Sequence, residues 1–460
     1  MAKDFRGKRI TVFGLGLNQG GVGTVRFLAD QGAKEIIVTD IKKKTELQPS
    51  LEKLAKYKNI TYVLGAHRPE DFTRVDMVVK NPAISWRNEY IQLAQKHGVP
   101  VEMDSSLFFE QVKAPIIGIT GSKGKTTTAS LIAHILETAG LPVVRVGVSQ
   151  TGVLSQISKV TPKSVVVFEL SSWRLSGLKA AKKSPHIAVF TNLHADHLNY
   201  YKTMEAYLRD KELIFRFQKS TDTLVANFDN VAVRESVQDA PGQLLWFAQE
   251  LHEGMAAWVQ DDMLFIQTAQ AAKVLMPLEG LKLLGSHNIE NVLAAALACL
   301  AYGLKPKAIR QGIETFSGIP HRLEFVGTRT DVDYYNDSAA TIPEAALSAL
   351  ESFDARPIVW LGGGSDKEIP LSSLGREAAR RVKKAILFAG GGTDELVATM
   401  EAAGAKDKIA IVHSMAEALA LAREAALAGD VVLLSPGTAS FGIFQNEFDR
   451  GDQFRAQALA

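Results

Sequence analysis

The sequence predicts an α/β protein of three domains, and three observations predict it. Short apolar strands alternate with helical patterns along the chain, as in parallel sheets covered by helices. Glycine turns follow several of these strands, where open α/β sheets bind ligands. The chain has 460 residues, and at roughly 150 residues per domain that length holds about three.

The first domain, 1–112, opens with a strand from Arg9 to Phe13, a glycine turn, and a helical pattern from Thr24 to Gln31 closed by Gly32. A second strand from Glu35 to Thr39 ends in Asp40, completing a β-turn-α-β unit of the doubly wound kind. Strands from Thr61 to Leu64, Met77 to Lys80 and Pro100 to Met103 follow, with a helix from Ile91 to Lys96. The second domain, 113–318, starts with a strand from Pro115 to Ile119, a glycine turn and a helix from Lys125 to Ala139. Strands from Val143 to Val146, Ser164 to Phe168, Ile187 to Thr191 and Thr223 to Asn227 continue the rhythm. The stretch from Ala257 to Met276 reads as an added hairpin. Helical segments from Ile289 to Tyr302 and Ile309 to Phe316 close the domain before the turn Ser317-Gly-Ile-Pro320. The third domain, 319–460, alternates helices with strands at Tyr334 and Tyr335, Pro357 to Leu361, Ala385 to Phe388, Ile409 to Val412 and Val431 to Leu434.

The formal charge of +2 argues against a dedicated nucleic-acid binder, which carries a basic excess. One cysteine, Cys299, makes neither an internal disulfide nor a cysteine-rich zinc site, and reads as a buried helix residue. No apolar stretch reaches the length of about 20 residues that a membrane span needs. The expectation is a cytoplasmic protein.

The first glycine turn, Gly14-x-Gly16-x-x-x-Gly20, is one residue longer than the dinucleotide fingerprint, because Gln19 stands where the third glycine belongs. With Gly23 and Asp40 it suits a nucleotide diphosphate at a helix N-terminus. An NAD site and a turn that binds nothing are the other readings. The second turn, Gly118-Ile-Thr-Gly121-Ser-Lys-Gly124-Lys125-Thr126-Thr127, lacks the first glycine of the strict P-loop, since Ile119 stands there. Its Gly-Lys-Thr core and its strand–helix context keep the phosphate reading. Amides cradle phosphates, Lys125 offsets their charge and the Thr126 hydroxyl reaches Mg2+. Glu169 ends a strand where a carboxylate holds Mg2+ or is a plain surface acid. His197, beside Asp196 after another strand, is a ligand or a packing residue. Lys211 by itself reads as a solvated helix lysine.

Together these residues resemble the Mur ligase family. The resemblance runs from Gly14 to Phe454. It rests on the phosphate loop, Phe168-Glu-Leu-Ser-Ser172, Asp196-His197 and Leu284-Gly-Ser-His-Asn288-x-x-Asn291. It continues through His321-Arg322-Leu-Glu324, Asn336-Asp337-Ser338-x-Ala-Thr341, Asp366-Lys367 and Leu434-Ser-Pro-Gly-Thr-Ala-Ser440. The resemblance implies an N-terminal Rossmann-like UDP-binding domain, a central P-loop ATPase with a mostly parallel sheet, and a C-terminal Rossmann-like domain. It also implies an ATP-dependent ligase that adds D-glutamate to UDP-N-acetylmuramoyl-L-alanine through an acyl phosphate, in peptidoglycan precursor synthesis.

By the same resemblance, Gly121, Gly124, Lys125, Thr126 and Thr127 hold ATP phosphates. Thr126, Glu169 and His197 hold two Mg2+ ions together with a CO2-derived carbamate on Lys211. Asn288 and Asn291 face adenine. Arg322 and Asp337 engage ATP from the third domain. Gly14, Gly16, Gly20, Gly23 and Asp40 bind UDP, and Thr341, Lys367 and Ser440 bind the amino acid. The implied protein is a monomer.

Three departures from the family pattern gather at the amino-acid side. Ala339 replaces a lysine, Gln150 falls in an altered loop, and Glu447 stands where an aromatic is expected, with Phe448 one position on. A ligase for L-glutamate is therefore the nearest alternative. A folylpolyglutamate synthase has no domain of this size before its P-loop. A Rossmann oxidoreductase leaves the P-loop idle, and a nucleotide-driven switch needs no acceptor.

Overall fold

The structure is a computed structural model that describes residues 3–460 apart from 18, 149–150, 197, 284, 354–355 and 367–368. Three sheets carry the chain. The first contains β1 (Arg9–Phe13), β2 (Glu35–Asp40), β3 (Ile60–Leu64), β4 (Met77–Lys80) and β5 (Val101–Met103), all parallel, in the order β3-β2-β1-β4-β5. Ile10, Val12, Ile36, Val38 and Val79 are buried, as parallel strands covered on both faces require. The order reverses between β1 and β4, which opens a crevice at their carboxyl ends.

The helix after β1 spans Gln19–Asp30, so it begins earlier than Thr24, where the sequence pattern starts it. Gly20, Gly21 and Gly23 lie inside it. Glycine's low helix propensity masks this first turn in the sequence. The packing explains Gly21: a Cβ there would stand 2.1 Å from the Leu15 carbonyl oxygen.

The second sheet contains β6 (Ile116–Thr120), β7 (Val143–Val146), β8 (Val165–Glu169), β9 (Ile187–Phe190), β10 (Thr223–Asn227), β11 (Gln243–Phe247), β12 (Met255–Gln260), β13 (Met263–Gln267) and β14 (Ala272–Pro277). Its order is β14-β13-β12-β11-β10-β9-β6-β8-β7. The expected hairpin is a three-strand antiparallel extension of this sheet, β12 to β14. Asp261 and Asp262 make its first tight turn with φ of 49° and 57°. β6 lies between β8 and β9, so the loops after these three strands converge.

The third sheet contains β15 (Glu324–Arg329), β16 (Val332–Asn336), β17 (Ile358–Gly362), β18 (Val382–Phe388), β19 (Ile409–Val412) and β20 (Val431–Leu434), in the order β15-β16-β20-β17-β18-β19. All pairs are parallel except β15 with β16. The chain divides into two compact units, Met1–Gly280 with Ile289–Glu314, and Leu281–Asn288 with Thr315–Ala460. Among the described residues no helix is long and apolar enough to cross a membrane.

Candidate active site

The loop between β6 and the helix Lys125–Thr138 is built around two glycines. Gly124 adopts the left-handed region at φ 80°, and a Cβ there would lie 2.3 Å from Asn291 Oδ1. At Gly121 a Cβ would meet Thr191 Oγ1 at 1.9 Å. The segment after β9 clamps this loop. Ser122 N donates to Asn192 O at 2.9 Å, Lys123 N to Asn192 Oδ1 at 2.8 Å, and Thr191 Oγ1 to Lys123 O at 2.8 Å. Ser122 Oγ donates to His194 O at 3.0 Å and accepts from His194 N at 2.9 Å. The backbone is thus held open for an anion, with half-buried Thr126 and Thr127 on the first helical turn.

Two lysines share one carbonyl in this loop. Lys125 Nζ donates to Gly121 O and Ser122 O, both at 2.9 Å. Lys211 Nζ, from the helix Met204–Glu212, donates to the same Gly121 O at 2.7 Å. Lys211 is 1% exposed, so the solvated surface lysine that its local sequence suggests is a core residue instead. Tyr207, one helical turn earlier, lies under its ammonium at 4.7 Å from the ring centre. Burial drives Lys211 well below the ordinary lysine range and the Lys125 charge adds to this, while Asp196 opposes both. Lys125 is lowered too, first by burial, against Glu169 and Asp196.

Glu169 ends β8 in register with Ile119, so its carboxylate acts on Lys125 from the next strand. The Thr126 hydroxyl and the Glu169 carboxylate are hard oxygen donors. Mg2+ takes one or two such groups beside phosphate and water oxygens, so the donor set fits that ion. No group of three His, Cys, Asp or Glu gathers among the described residues. His197 lies outside them. Asn291 stands behind the loop, its Oδ1 accepting from Thr128 Oγ1 at 3.0 Å. Asn288 is buried, with its N–H on Gly285 O.

At the N-terminal turn, Gly14 and Gly16 have φ of 89° and 62°. Asp40 closes the turn: its Oδ2 accepts from Gly16 N at 2.9 Å and its Oδ1 from Lys42 N at 3.0 Å. Gly20 accepts the Thr24 hydroxyl at its carbonyl. Gly23 faces the central sheet's side, where a Cβ would be 3.2 Å from Gly152 Cα. It therefore lets the helix approach that segment closely, and is no part of the turn itself.

In the C-terminal unit, the loops after β16, β17 and β20 meet at one sheet edge. Ser435 Oγ donates to Asp337 Oδ2 at 2.7 Å, Gly437 N to Ala340 O at 2.8 Å, and Ser365 N to Ala439 O at 3.0 Å. Asp337 lies in this cluster and Thr341 and Ser440 each follow a residue of it, Ala340 and Ala439, while Lys367 lies outside the described residues, as does Gln150. Burial pushes the Asp337 carboxyl up to about 7. Arg322 is exposed between His321 and Leu323, whose φ of 64° and 42° are strained for such side chains. The turn is pinned by Leu323 N on Asp337 Oδ1 at 3.1 Å and His321 N on Glu324 Oε2 at 2.9 Å.

Sequence reasoning missed Arg450. It is fully buried and donates from Nε to Ser338 Oγ and from Nη2 to Ser338 O, both at 2.9 Å. It sets a guanidinium beneath the loop in which Ala339 replaces a lysine. Glu447 opens the last helix, Glu447–Ala458, and its carbonyl accepts from Ser338 Oγ at 2.7 Å. Phe448 is exposed, with its ring edge-on to His321.

Three family models match the chain: "Mur ligase MurD-like, N-terminal domain" over residues 8–102, "Mur ligase middle domain" over 119–299, and "Mur ligase, glutamate ligase domain" over 321–437. The UDP-N-acetylmuramoylalanine–D-glutamate ligase of Roseiflexus sp. (strain RS-1) is 41% identical over 458 residues, covering 98% of each chain. The enzyme of the same name from Symbiobacterium thermophilum is 35% identical over 451 residues, covering 98% of this chain and 97% of its own. Among solved structures, MurF from Acinetobacter baumannii superposes with a TM-score of 0.59 at 15% identity, over 98% of this chain and 93% of that one. A UDP-N-acetylmuramoyl-L-alanyl-D-glutamate–2,6-diaminopimelate ligase gives 0.57 at 21%, over 93% and 86%. At these identities the structures speak for the fold alone.

Proposed function

The chain belongs to the Mur ligase family, and on that premise we propose that it joins D-glutamate to UDP-N-acetylmuramoyl-L-alanine at the expense of ATP. This is a step of peptidoglycan precursor synthesis, carried out in the cytoplasm where ATP and the nucleotide sugar are at hand. One observation carries the reading beyond the likeness to relatives: Lys125 and Lys211 converge on the Gly121 carbonyl at the mouth of a glycine cradle, beside Glu169.

The chemistry asks for positioning and charge more than for a covalent intermediate on the protein. An oxygen of the substrate carboxylate attacks the γ-phosphorus, and ADP leaves. The amine of glutamate then attacks the acyl carbon, loses a proton, and phosphate departs with the carboxylate oxygen. The amides from Gly121 to Thr127 bind the phosphates, and Lys125 turns from the loop carbonyls to offset their charge. Thr126 and Glu169 would hold one Mg2+, which would supply positive charge against the phosphates.

Lys211 suits a second role. Carboxylation needs the neutral amine, whose lone pair attacks CO2 and then releases a proton. Burial beside Lys125 favours that form. The carbamate with His197 would hold a second ion. Asn288 and Asn291 serve the adenine side, and Arg322 with Asp337 engages ATP from the third domain. Thr341, Lys367 and Ser440 take the glutamate carboxylates, and Gly14, Gly16, Gly20 and Asp40 the UDP group, while Gly23 packs the helix instead. Domain boundaries at 112/113 and 318/319 and a monomeric enzyme complete the reading. The three sheets, with strands from Arg9 to Met103, Ile116 to Pro277 and Glu324 to Leu434, support those boundaries.

The test is product formation by the purified chain with UDP-N-acetylmuramoyl-L-alanine, Mg-ATP and bicarbonate, with D- and L-glutamate in parallel. D-glutamate is expected to give a product heavier by one glutamyl residue. Product from L-glutamate alone would transfer the reading to an altered acceptor site marked by Ala339, Gln150 and Glu447.

A further inference from the structure

The nine-stranded sheet ends at an unpaired edge. β14 is last in its order and pairs with β13, so its other edge meets no strand among the described residues. A cavity of about 900 Å³ lies there, inside the first compact unit. Lys273, Val274 and Leu275 all line it. Side chains alternate across a strand, so three consecutive lining residues place the cavity along the backbone edge rather than on one face. The facing wall is the connection between the helices Ser286–Ala301 and Pro306–Thr315. Gly303, at φ 106°, turns the chain out of the first of these, with Leu304 N on Cys299 O at 3.0 Å. Leu300, Leu304 and Pro306 make this wall apolar.

The rim of the groove is basic. Lys273, Lys305, Lys307 and Arg310 line it and are exposed, and none of its lining residues is acidic. Arg310 is met by Glu314, Nε to Oε1 at 2.6 Å. The three lysines make no ion pair among the described residues. Lys305 and Lys307 flank Pro306, the first residue of the second helix, whose first turn holds no acid. A helix N-terminus is electropositive and favours acids, so these lysines add to a potential that helix stability alone would have lowered. The chain as a whole carries a formal charge of only +2, and the attraction for anions is therefore local to this groove.

We propose that this groove docks an extended acidic segment of a partner protein, which pairs main chain to main chain with β14 and sets its carboxylates against Lys273, Lys305 and Lys307. An open strand edge supplies hydrogen bonds to any extended chain, and the lysines select an acidic one. The helix Ser286–Ala301 carries Asn291 at the phosphate loop and Leu300 at the groove, roughly 14 Å further along its axis. Docking and turnover are therefore separable. The bland alternative is that the lysines guard the edge, repelling any strand that approaches it. The two readings differ in whether an acidic strand binds.

The test is amide NMR of the full ²H,¹⁵N-labelled chain with three short capped peptides at millimolar concentration: alternating Glu-Thr, alternating Lys-Thr and alternating Glu-Pro. Proline keeps the charge and removes main-chain donors. The Glu-Thr peptide is expected to shift the amides of residues 273–275 together with those of Lys305 and Lys307, more weakly as salt is added. The Lys-Thr peptide is expected to shift none of them. Lys305→Glu combined with Lys307→Glu lies on the exposed wall and is expected to weaken the Glu-Thr peptide roughly tenfold while ligase turnover stays unchanged. No shift with the Glu-Thr peptide overturns the proposal, as does equal binding by the doubly reversed chain or by the Lys-Thr peptide. Glu-Pro binding as tightly as Glu-Thr, or inorganic tripolyphosphate shifting the same amides as strongly, would make the groove a plain anion pocket and overturn the strand pairing. Shifts at residues 273–275 on concentrating the chain alone would make a second copy the occupant, which also contradicts it.

Discussion

The two glycine turns look alike in sequence and are built differently. Each follows a central parallel strand and opens a helix. In the first, the turn glycines are Gly14 and Gly16, while Gly20, Gly21 and Gly23 belong to the helix, where Gly21 and Gly23 serve close packing. Its carboxylate, Asp40, is spent on two backbone N–H groups. In the second, Gly121 and Gly124 shape the loop and the following helix carries the lysine. The buried cations differ in origin too. Lys80 closes β4 and donates to the Ile84 carbonyl, whereas Lys125 is the first residue of the helix after the second loop and Lys211 comes from a distant helix. A glycine pattern therefore marks a candidate anion site, but the cation nearest it in space need not be near it in sequence.

The largest expected effect strikes the second turn. Lys125→Ala and Lys211→Ala should each cut turnover by at least about 10³, at the upper end of what removing one transition-state partner costs. Short carboxylic acids should restore part of the activity of Lys211→Ala and none of Lys125→Ala. Near-normal turnover of Lys211→Ala would remove that residue from the site. Next come the glycines. Gly124→Ala places a left-handed alanine against Asn291 Oδ1, and should lower ATP affinity and cost about 1–3 kcal/mol of stability. Gly16→Ala meets open space at φ 62° and should cost only the backbone strain of about 1 kcal/mol. Equal effects at the two positions in thermal melts would erase the contrast between the turns.

A third strand-end loop sharpens the comparison with a buried acid in place of a lysine. Asp337 is raised by burial from 3.8 to about 7, so the folded state binds its proton more tightly than the unfolded one. The stability this contributes is complete below about pH 4 and is lost as the pH rises to about 7. The slope is about 1.4 kcal/mol per pH unit. Asp337→Asn should lack that slope in urea unfolding followed at ¹⁹F-labelled Trp360, the tryptophan of the C-terminal unit. Identical pH profiles for the two proteins would contradict the assignment. The smallest effect belongs to Cys299. Burial raises its thiol, so thiol reagents should label the folded chain slowly, and Cys299→Ala should leave turnover within about twofold.

Much of this was legible beforehand where local pattern and tertiary role agree. β10, β19 and β20 are read to the residue, because short apolar runs between turn residues have no competing period. The phosphate loop is legible for the same reason, together with its glycines. β15 escapes, since Glu324–Arg329 is polar and carries a glycine, and its strand character comes from pairing with β16. β11 escapes too, although Gln243–Phe247 is an apolar run. The buried charges were the least legible. Lys211 and Arg450 sit in polar stretches where a charged residue is ordinarily solvated, and only the fold reveals what encloses them. Lys211 entered the site through the family resemblance, and its burial is what gives that role a physical basis.

The most direct measurement follows an oxygen. UDP-N-acetylmuramoyl-L-alanine labelled with ¹⁸O in its carboxylate would be turned over with D-glutamate and Mg-ATP, and the released phosphate weighed. Attack of the carboxylate on the γ-phosphorus predicts one ¹⁸O in each phosphate formed. Phosphate free of label, with ADP released at the same rate, would mean that the loop held by Lys125 and Lys211 hydrolyses ATP without activating the substrate.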